Sequence, residues 1–491
     1  MKQLTLLFTL CLVLLASCRQ AEVPTQYTDS SQLPKMYPDY VDVTIPINIA
    51  PLSMELCQQA QDVVVRYAAS GEEIVCGGKK AMPAIDEWKD LTSKAAGGDI
   101  TVEVFAKNDD KWTRFKPFAI HVSKDSIDPY ISYRLIAPSY VTYEELTINQ
   151  RCLENYDESV IYNNMLLSVE TDGQCINCHN YQAYNPNRMQ FHARQNHGGT
   201  VVAYDGKVKK VNMKNDSILS AGVYPAWHPW LKLIAYSTNK TMQSFHTRDI
   251  NKIEVLDSQS DLIIYDVDKN EVTNIENDST EFECYPAWSP DGKWLYYVSA
   301  HFEFRDTIPH ETECIMRSKE IKYSIYRKSF NPETMQFGPR EMVFDAASLG
   351  KSATLPRISP DGKYLLFSMG EWGCFHIWHR DADLYMLRLA DNKVWPLTKT
   401  NSPQAESFHN FSSNGKWIIF SSRRNDGDYT RLFFAHVDAD GNTTKAFELP
   451  QQDPDFHRMF MKSYNIPEFM RGPVTIKPQE FADVLRNDNI E

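Results

Sequence analysis

Four segments of the chain repeat one pattern of apolar and polar positions. Tyr224-Pro225-Ala226-Trp227-His228-Pro229, Tyr285-Pro286-Ala287-Trp288-Ser289-Pro290-Asp291-Gly292, Leu355-Pro356-Arg357-Ile358-Ser359-Pro360-Asp361-Gly362 and Phe408-His409-Asn410-Phe411-Ser412-Ser413-Asn414-Gly415 align with one another. Each runs straight into an apolar strand: Leu233 to Ser237, Trp294 to Ser299, Tyr364 to Ser368 and Trp417 to Ser421. The Pro-Asp-Gly core explains itself, since Pro presets φ and Gly accepts the left-handed position of a tight hairpin. A third strand follows a variable loop, as at Asp261 to Asp266 and Asp383 to Leu387, and a fourth follows a turn, as at Val394 to Thr398. These strands are apolar on both faces, which suits sheets stacked between neighbours. Four strands per unit, recurring every roughly 50–70 residues, read as propeller blades. Thr200 to Met213 and the tail beyond Leu449 are expected to supply further blades, giving about six in all.

These motifs resemble those of the TolB-type, WD-like propeller family, and they cover roughly residues 200–450. The resemblance implies the fold and leaves the function open, because such propellers host binding, scaffolding and catalysis alike. His228-Pro229-Trp230-Leu231 departs from the Ser-Pro-Asp-Gly pattern, so the first hairpin is expected to be shaped differently.

The patterning changes upstream. Val41 to Ile45, Val63 to Tyr67, Ile100 to Val104 and Phe118 to Val122 are short β-branched runs between turn residues, with a candidate helix over Ile85 to Lys94. Residues 41–135 thus read as a small β-sandwich-like domain, and the chain as mainly β. Leu146, Ile148, Leu153 and Tyr156 have helical spacing within a stretch from Tyr143 to Met165. Residues 136–198 form a connecting segment, and 199–491 the propeller.

The first residues read as an address. Lys2 precedes an apolar run from Leu4 to Leu15, and Leu15-Ala16-Ser17-Cys18 resembles the lipobox of bacterial lipoproteins. This implies a signal peptide over 1–17, acylation of Cys18, a polar tether over 18–40, and attachment to a membrane of the bacterial cell envelope, at the outer membrane or the periplasmic face. Formal net charge of −13 and the lack of a basic stripe argue against a nucleic-acid partner.

In that compartment Cys175-Ile176-Asn177-Cys178-His179 has the form of a haem c attachment motif: two thiols for thioether bonds and a histidine as proximal iron ligand. A disulfide, half a zinc site or a redox pair are the other readings of a CxxC. No second CxxC or HxxxH completes a zinc site, and the segment reads as loop. Met189 and His192 are the candidate distal ligands, with His197 a third donor nearby. Six further cysteines (57, 76, 152, 284, 314 and 374) permit disulfides or buried thiols, Cys57 and Cys76 being the nearest pair. The long second-to-third-strand loops carry His246, Arg248, His301, His376 and His379, with several more arginines, and could form a site on one propeller face.

The layout of lipobox, β domain, CxxCH and propeller resembles envelope proteins of the TolB-like, cytochrome c-like kind. It implies a monohaem c-type cytochrome lipoprotein that passes electrons to a redox partner protein, with the propeller as docking surface. The alternatives are an interaction scaffold in an envelope protein complex, with a structural CxxCH, and a haem-dependent oxidoreductase. No Gly-x-Ser-x-Gly, phosphate loop or HExxH occurs, so peptidase and nucleotide-dependent chemistry have no motif to rest on.

Overall fold

The computed structural model describes residues 21–137, 145–169, 172–214, 216–305 and 307–487. The expected signal peptide and Cys18 lie outside the described residues. The chain is mainly β and divides into two compact units: residues 1–124 with 450–459, and residues 125–449 with 460–491.

The first unit is built on a seven-stranded mixed sheet whose long central strands are Asp62–Ala69 and Asp99–Asn108. The helix forms where expected, over Ile85–Lys94, and buries Trp88 and Leu91. The Trp88 ring meets Tyr67 of the sheet edge-on at 5.7 Å. A second sheet exists, but its three strands are only two or three residues long. In place of two well-matched sheets, the unit has one large sheet with the helix packed on Asp62–Ala69 and Glu72–Gly77, a helix with an apolar stripe being able to bury part of a sheet face.

Among the described residues the second unit holds four four-stranded antiparallel sheets and one eight-stranded sheet, whose two four-stranded antiparallel halves are joined by one parallel pairing and are counted below as separate sheets, six in all. Their leading strands are β1 (Gln174–Tyr181), β2 (Val223–Trp227), β3 (Glu281–Trp288), β4 (Ser352–Ile358), β5 (Glu406–Phe411) and β6 (Ser463–Met470). Five sheets take four consecutive strands. The sixth joins β6 to Tyr130–Ile136, Thr147–Cys152 and Glu158–Asn163, so the tail completes a sheet begun more than 300 residues earlier. Each leading strand packs against the next, and β6 packs against both β5 and β1. A single backbone pairing, Ser260 with Phe282, also links the sheets of β2 and β3. Burial explains the unbroken apolar runs: every residue of Trp417–Ser422 is buried, and nearly every residue of Tyr364–Gly370.

The tight turns take the expected form. Ser289, Ser359 and Ser412 accept at Oγ from the backbone N–H five residues on, at 2.9–3.0 Å. Gly292, Gly362 and Gly415 close each turn with φ of +58° to +71°. In the first hairpin His228 replaces the serine: its Nδ1 accepts from Leu231 N–H at 3.1 Å, and its Nε2 lies 3.1 Å from the Gly292 carbonyl of the neighbouring turn.

Two elements differ from the sequence reading. The stretch with helical spacing is a hairpin, Thr147–Cys152 with Glu158–Asn163, turned at Asn155 and Asp157. Pairing with Tyr130–Ile136 buries all six residues of Thr147–Cys152, which outweighs the weak period. The CxxCH segment is a strand, β1, paired with Arg188–Gln195. Residues 125–198 accordingly belong with the six sheets, so the expected boundaries at 135 and 198 fall inside the second unit.

Candidate functional site

The six leading strands share a local distortion. In β1 to β5 the register slips between Asn177 and Asn180, Val223 and Ala226, Cys284 and Ala287, Thr354 and Arg357, and Ser407 and Asn410. In β6 it slips between Asn465 and Glu468. Inside each slip one non-glycine residue is left-handed: Cys178, Tyr224, Tyr285, Leu355, Phe408 and Ile466, with φ between +47° and +57°. Such a residue costs about 1–2 kcal/mol, so its recurrence six times marks a designed bulge that re-aims side chains. The residue after it is Pro225, Pro286, Pro356 and Pro467 in four strands, and His179 and His409 in the other two. Proline is tolerated there because the bulge takes its N–H out of the ladder.

All six left-handed residues line one narrow cavity of about 30 Å³, together with His179, Asn180, Arg357 and Glu468. Two residues further along each strand lies a second ring: Asn180, Ala226, Ala287, Arg357, Asn410 and Glu468. These six line a wider funnel of about 360 Å³, which reaches Pro229, Ser289, Pro290, Pro360 and Ser413 of the tight turns. Asn180, Arg357 and Glu468 border both spaces.

The second ring is electrostatically built. Glu468 is buried and accepts from Asn180 Nδ2 at 3.0 Å, from Asn410 Nδ2, and from Arg357 Nη2 at 3.5 Å. Burial pushes its carboxyl above the usual range, with Arg357 and the two amides pulling back. In the first ring burial raises the Tyr224 and Tyr285 hydroxyls and the Cys178 thiol, leaving the thiol neutral and unreactive. His179 is lowered to about 3 by burial and by Arg134. The backbone of Ser132 and Ile466 approaches its ring, but neither nitrogen closes a well-formed hydrogen bond. His409 occupies the corresponding place in β5 and bonds through Nε2 to the carbonyls of Leu355, at 2.7 Å, and Leu366.

This arrangement does not fit a covalent haem. Cys178 and His179 face the cavity, but Cys175 does not line it and packs instead against the core cluster of Ile176, Met189 and Phe191. Met189 is wholly buried in that cluster. His192 is buried with Nδ1 3.0 Å from Thr200 Oγ1, and its pKa falls to about 3 through burial. Neither Met189 nor His192 borders the cavity that His179 lines. Among the described residues no three His, Cys, Asp or Glu side chains are grouped to hold a metal ion. The described cysteines are all free thiols.

The loop residues singled out from the sequence do not border the funnel. His376 and His379 lie together, ring centroids 5.5 Å apart, but each has a structural partner. His376 lies 3.2 Å from Ser368 Oγ and 3.1 Å from the Gly373 carbonyl, and His379 lies 3.1 Å from buried Glu254. His301 is exposed and sits between Glu281 and Glu303. His246 and Arg248 end the long hairpin of Leu233–Phe245 and Ile253–Asp266, with His246 N–H bonded to Lys252 O. Sequence reasoning missed Asn180, Asn410 and Glu468. The signal for Asn180 and Glu468 lay in two more copies of the repeat, Cys178-His179-Asn180-Tyr181 and Ile466-Pro467-Glu468-Phe469.

No protein-family model matches the chain, and no curated protein does. Among solved structures, one from a study of two prolyl endopeptidases is 12% identical at a TM-score of 0.34, over 66% of this chain and 42% of that one. A GH74 enzyme of Niastella koreensis is 9% identical at 0.35, over 69% and 46%. Prolyl oligopeptidase B from Galerina marginata is 10% identical at 0.34, over 79% and 53%. The chain spans about half the length of these structures, and likeness at this level carries no argument about activity.

Proposed function

We propose that the six sheets are the blades of a TolB-like β-propeller, and that the chain is an envelope-anchored binding scaffold whose CxxCH segment is structural. The observation that carries this reading is the position of the motif. Cys178-His179-Asn180-Tyr181 stands in β1 where Tyr224-Pro225-Ala226-Trp227 stands in β2, with the same slip and the same left-handed residue. The contact of β6 with both β5 and β1 supports closure of the ring by the tail. A scaffold of this kind presents its funnel to an envelope partner while a lipid on Cys18 holds it at the membrane.

The test is a haem stain after denaturing electrophoresis, on protein coexpressed with a cytochrome c maturation system. The expected result is an unstained band from wild-type protein that is folded and exported, with a Cys175→Ala, Cys178→Ala double variant exported equally well. Haem that stays with the wild-type band and is missing from the double variant overturns this reading in favour of an electron-transfer cytochrome.

A further inference from the structure

We infer that the tip of the long hairpin, residues 241–257, is a hinged strap latched across the ring by Glu254 and His379, and that it opens as a unit to uncover the end of the ring opposite the funnel. The crossing rests on the propeller reading of the six sheets; the contacts of the tip do not.

The hairpin of Leu233–Phe245 with Ile253–Asp266 follows β2, and its strands have 13 and 14 residues. The corresponding second strands of the next three sheets, Trp294–His301, Tyr364–Gly370 and Trp417–Ser422, have 8, 7 and 6. The excess projects on the side away from the Pro-Asp-Gly turns. Where it leaves the sheet, the register slips between Lys240 and Thr241, so that Ser258 faces no partner residue. A bulge of this kind bends a ribbon locally. Beyond it the two strands pair only with each other, and a two-stranded ribbon is at best marginally stable alone. Its position therefore depends on what holds the tip.

The tip is held far from β2. The Glu254 carboxylate lies 3.1 Å from His379 Nε2, and both side chains are buried. Arg380 N–H donates to Asn251 Oδ1 at 3.1 Å. Ile250 and Lys252 share a pocket with Gln404, Arg423 and Asp426, which flank β5 and its second strand. The leading strands pack in the order β1 to β6 and back to β1, so β5 stands across the ring from β2 and the hairpin reaches over the centre. Along its length Ile253 and Leu256 are buried, whereas Phe245 and Ile250 are half exposed or more. The ion pair of Lys240 with Glu311, 2.6 Å long, lies in solvent and contributes little. The Glu254–His379 contact is thus the latch.

At its base the strap adjoins the first ring. Asn239 Nδ2 donates to buried Asp257 at 2.7 Å and lies 3.6 Å from the Sγ of Cys284, the wholly buried residue before Tyr285. Cys284 therefore reports opening of the strap. Cys152, buried in the sheet that β6 completes, reports unfolding of the whole unit.

The full-length protein is treated with iodoacetamide under native conditions, and labelling of each cysteine is followed by peptide mass spectrometry. In the wild type Cys284 should label faster than Cys152. Glu254→Gln should speed Cys284 by about tenfold or more, the loss of a charge-assisted bond, and leave Cys152 unchanged. Joining Asn251→Cys to Arg380→Cys by a disulfide should slow Cys284 to the rate of Cys152, and reduction should restore it. Hydrogen exchange should show the amides of 241–257 opening together, ahead of Leu233–Ser237. Cys284 and Cys152 labelling at one rate in the wild type, a rate that the disulfide leaves unchanged, or hairpin amides as slow as those of Leu233–Ser237 overturns the inference. Closure of the ring is judged separately, by proteolysis of a chain ended before Ser463, so failure of the strap leaves the propeller reading standing.

Discussion

Replacing His179 by proline separates the structural account of the CxxCH segment from a cofactor account. Four of the six leading strands carry proline at this place, so the bulge accepts it, and β1 has the same left-handed residue before it. At pH 7.5 the change removes a buried neutral imidazole that closes no well-formed bond, and we expect a loss of no more than about 1–2 kcal/mol, the usual range for a single substitution. The pH dependence is sharper. His179 titrates at about 3 in the fold against about 6.5 unfolded, so between those values the unfolded state binds the extra proton. The stability of the neutral imidazole is complete above 6.5 and is lost as pH falls. At pH 4.5, two units below the unfolded value, the wild type has lost about 3 kcal/mol that the proline variant keeps. Denaturant unfolding of both proteins at pH 7.5 and 4.5, followed by tryptophan fluorescence, should therefore show the difference moving by that amount in favour of His179→Pro. A variant that fails to fold at pH 7.5, or a difference that does not change with pH, refutes the equivalence of His179 with the prolines.

Three further outcomes are expected. Glu468→Leu leaves Asn180, Asn410 and the loosely held Arg357 without their acceptor and should cost about 1–3 kcal/mol by denaturant unfolding, the penalty for polar groups left unsatisfied. Ending the chain before Ser463 removes β6 and leaves Tyr130–Ile136 an unpaired edge, so limited proteolysis should digest the second unit where the full chain resists. Glu283 is buried and pushed up to about 8, by burial first and then by Asp261, Glu276 and Glu281. Its folded state holds the extra proton between about 4.5 and 8, so its contribution falls as pH rises through that window, by about 1.4 kcal/mol per unit; stability curves of Glu283→Gln should lack that slope.

What the sequence alone determined was set by local chemistry. Ser-Pro-Asp-Gly turns and doubly apolar strands declare themselves because a tight hairpin needs a preset φ followed by a left-handed glycine, and a sheet between two others has no polar face. The helix over Ile85–Lys94 was legible for the same reason, through its apolar stripe. The tertiary structure decided what depends on partners far away in the chain. Thr147–Cys152 is a strand because Tyr130–Ile136 and β6 complete its sheet. Cys178 is an inert buried thiol because five other strands bring Tyr224, Tyr285, Leu355, Phe408 and Ile466 around it. The motif that names a cofactor chemistry in one dimension lies, in three, at one of six matching bulges in the leading strands. Glu468, near the end of the chain, meets Asn180 and Arg357 only because the tail returns as the last leading strand. Spacing along a chain records short-range preference; the funnel is made by contacts hundreds of residues apart.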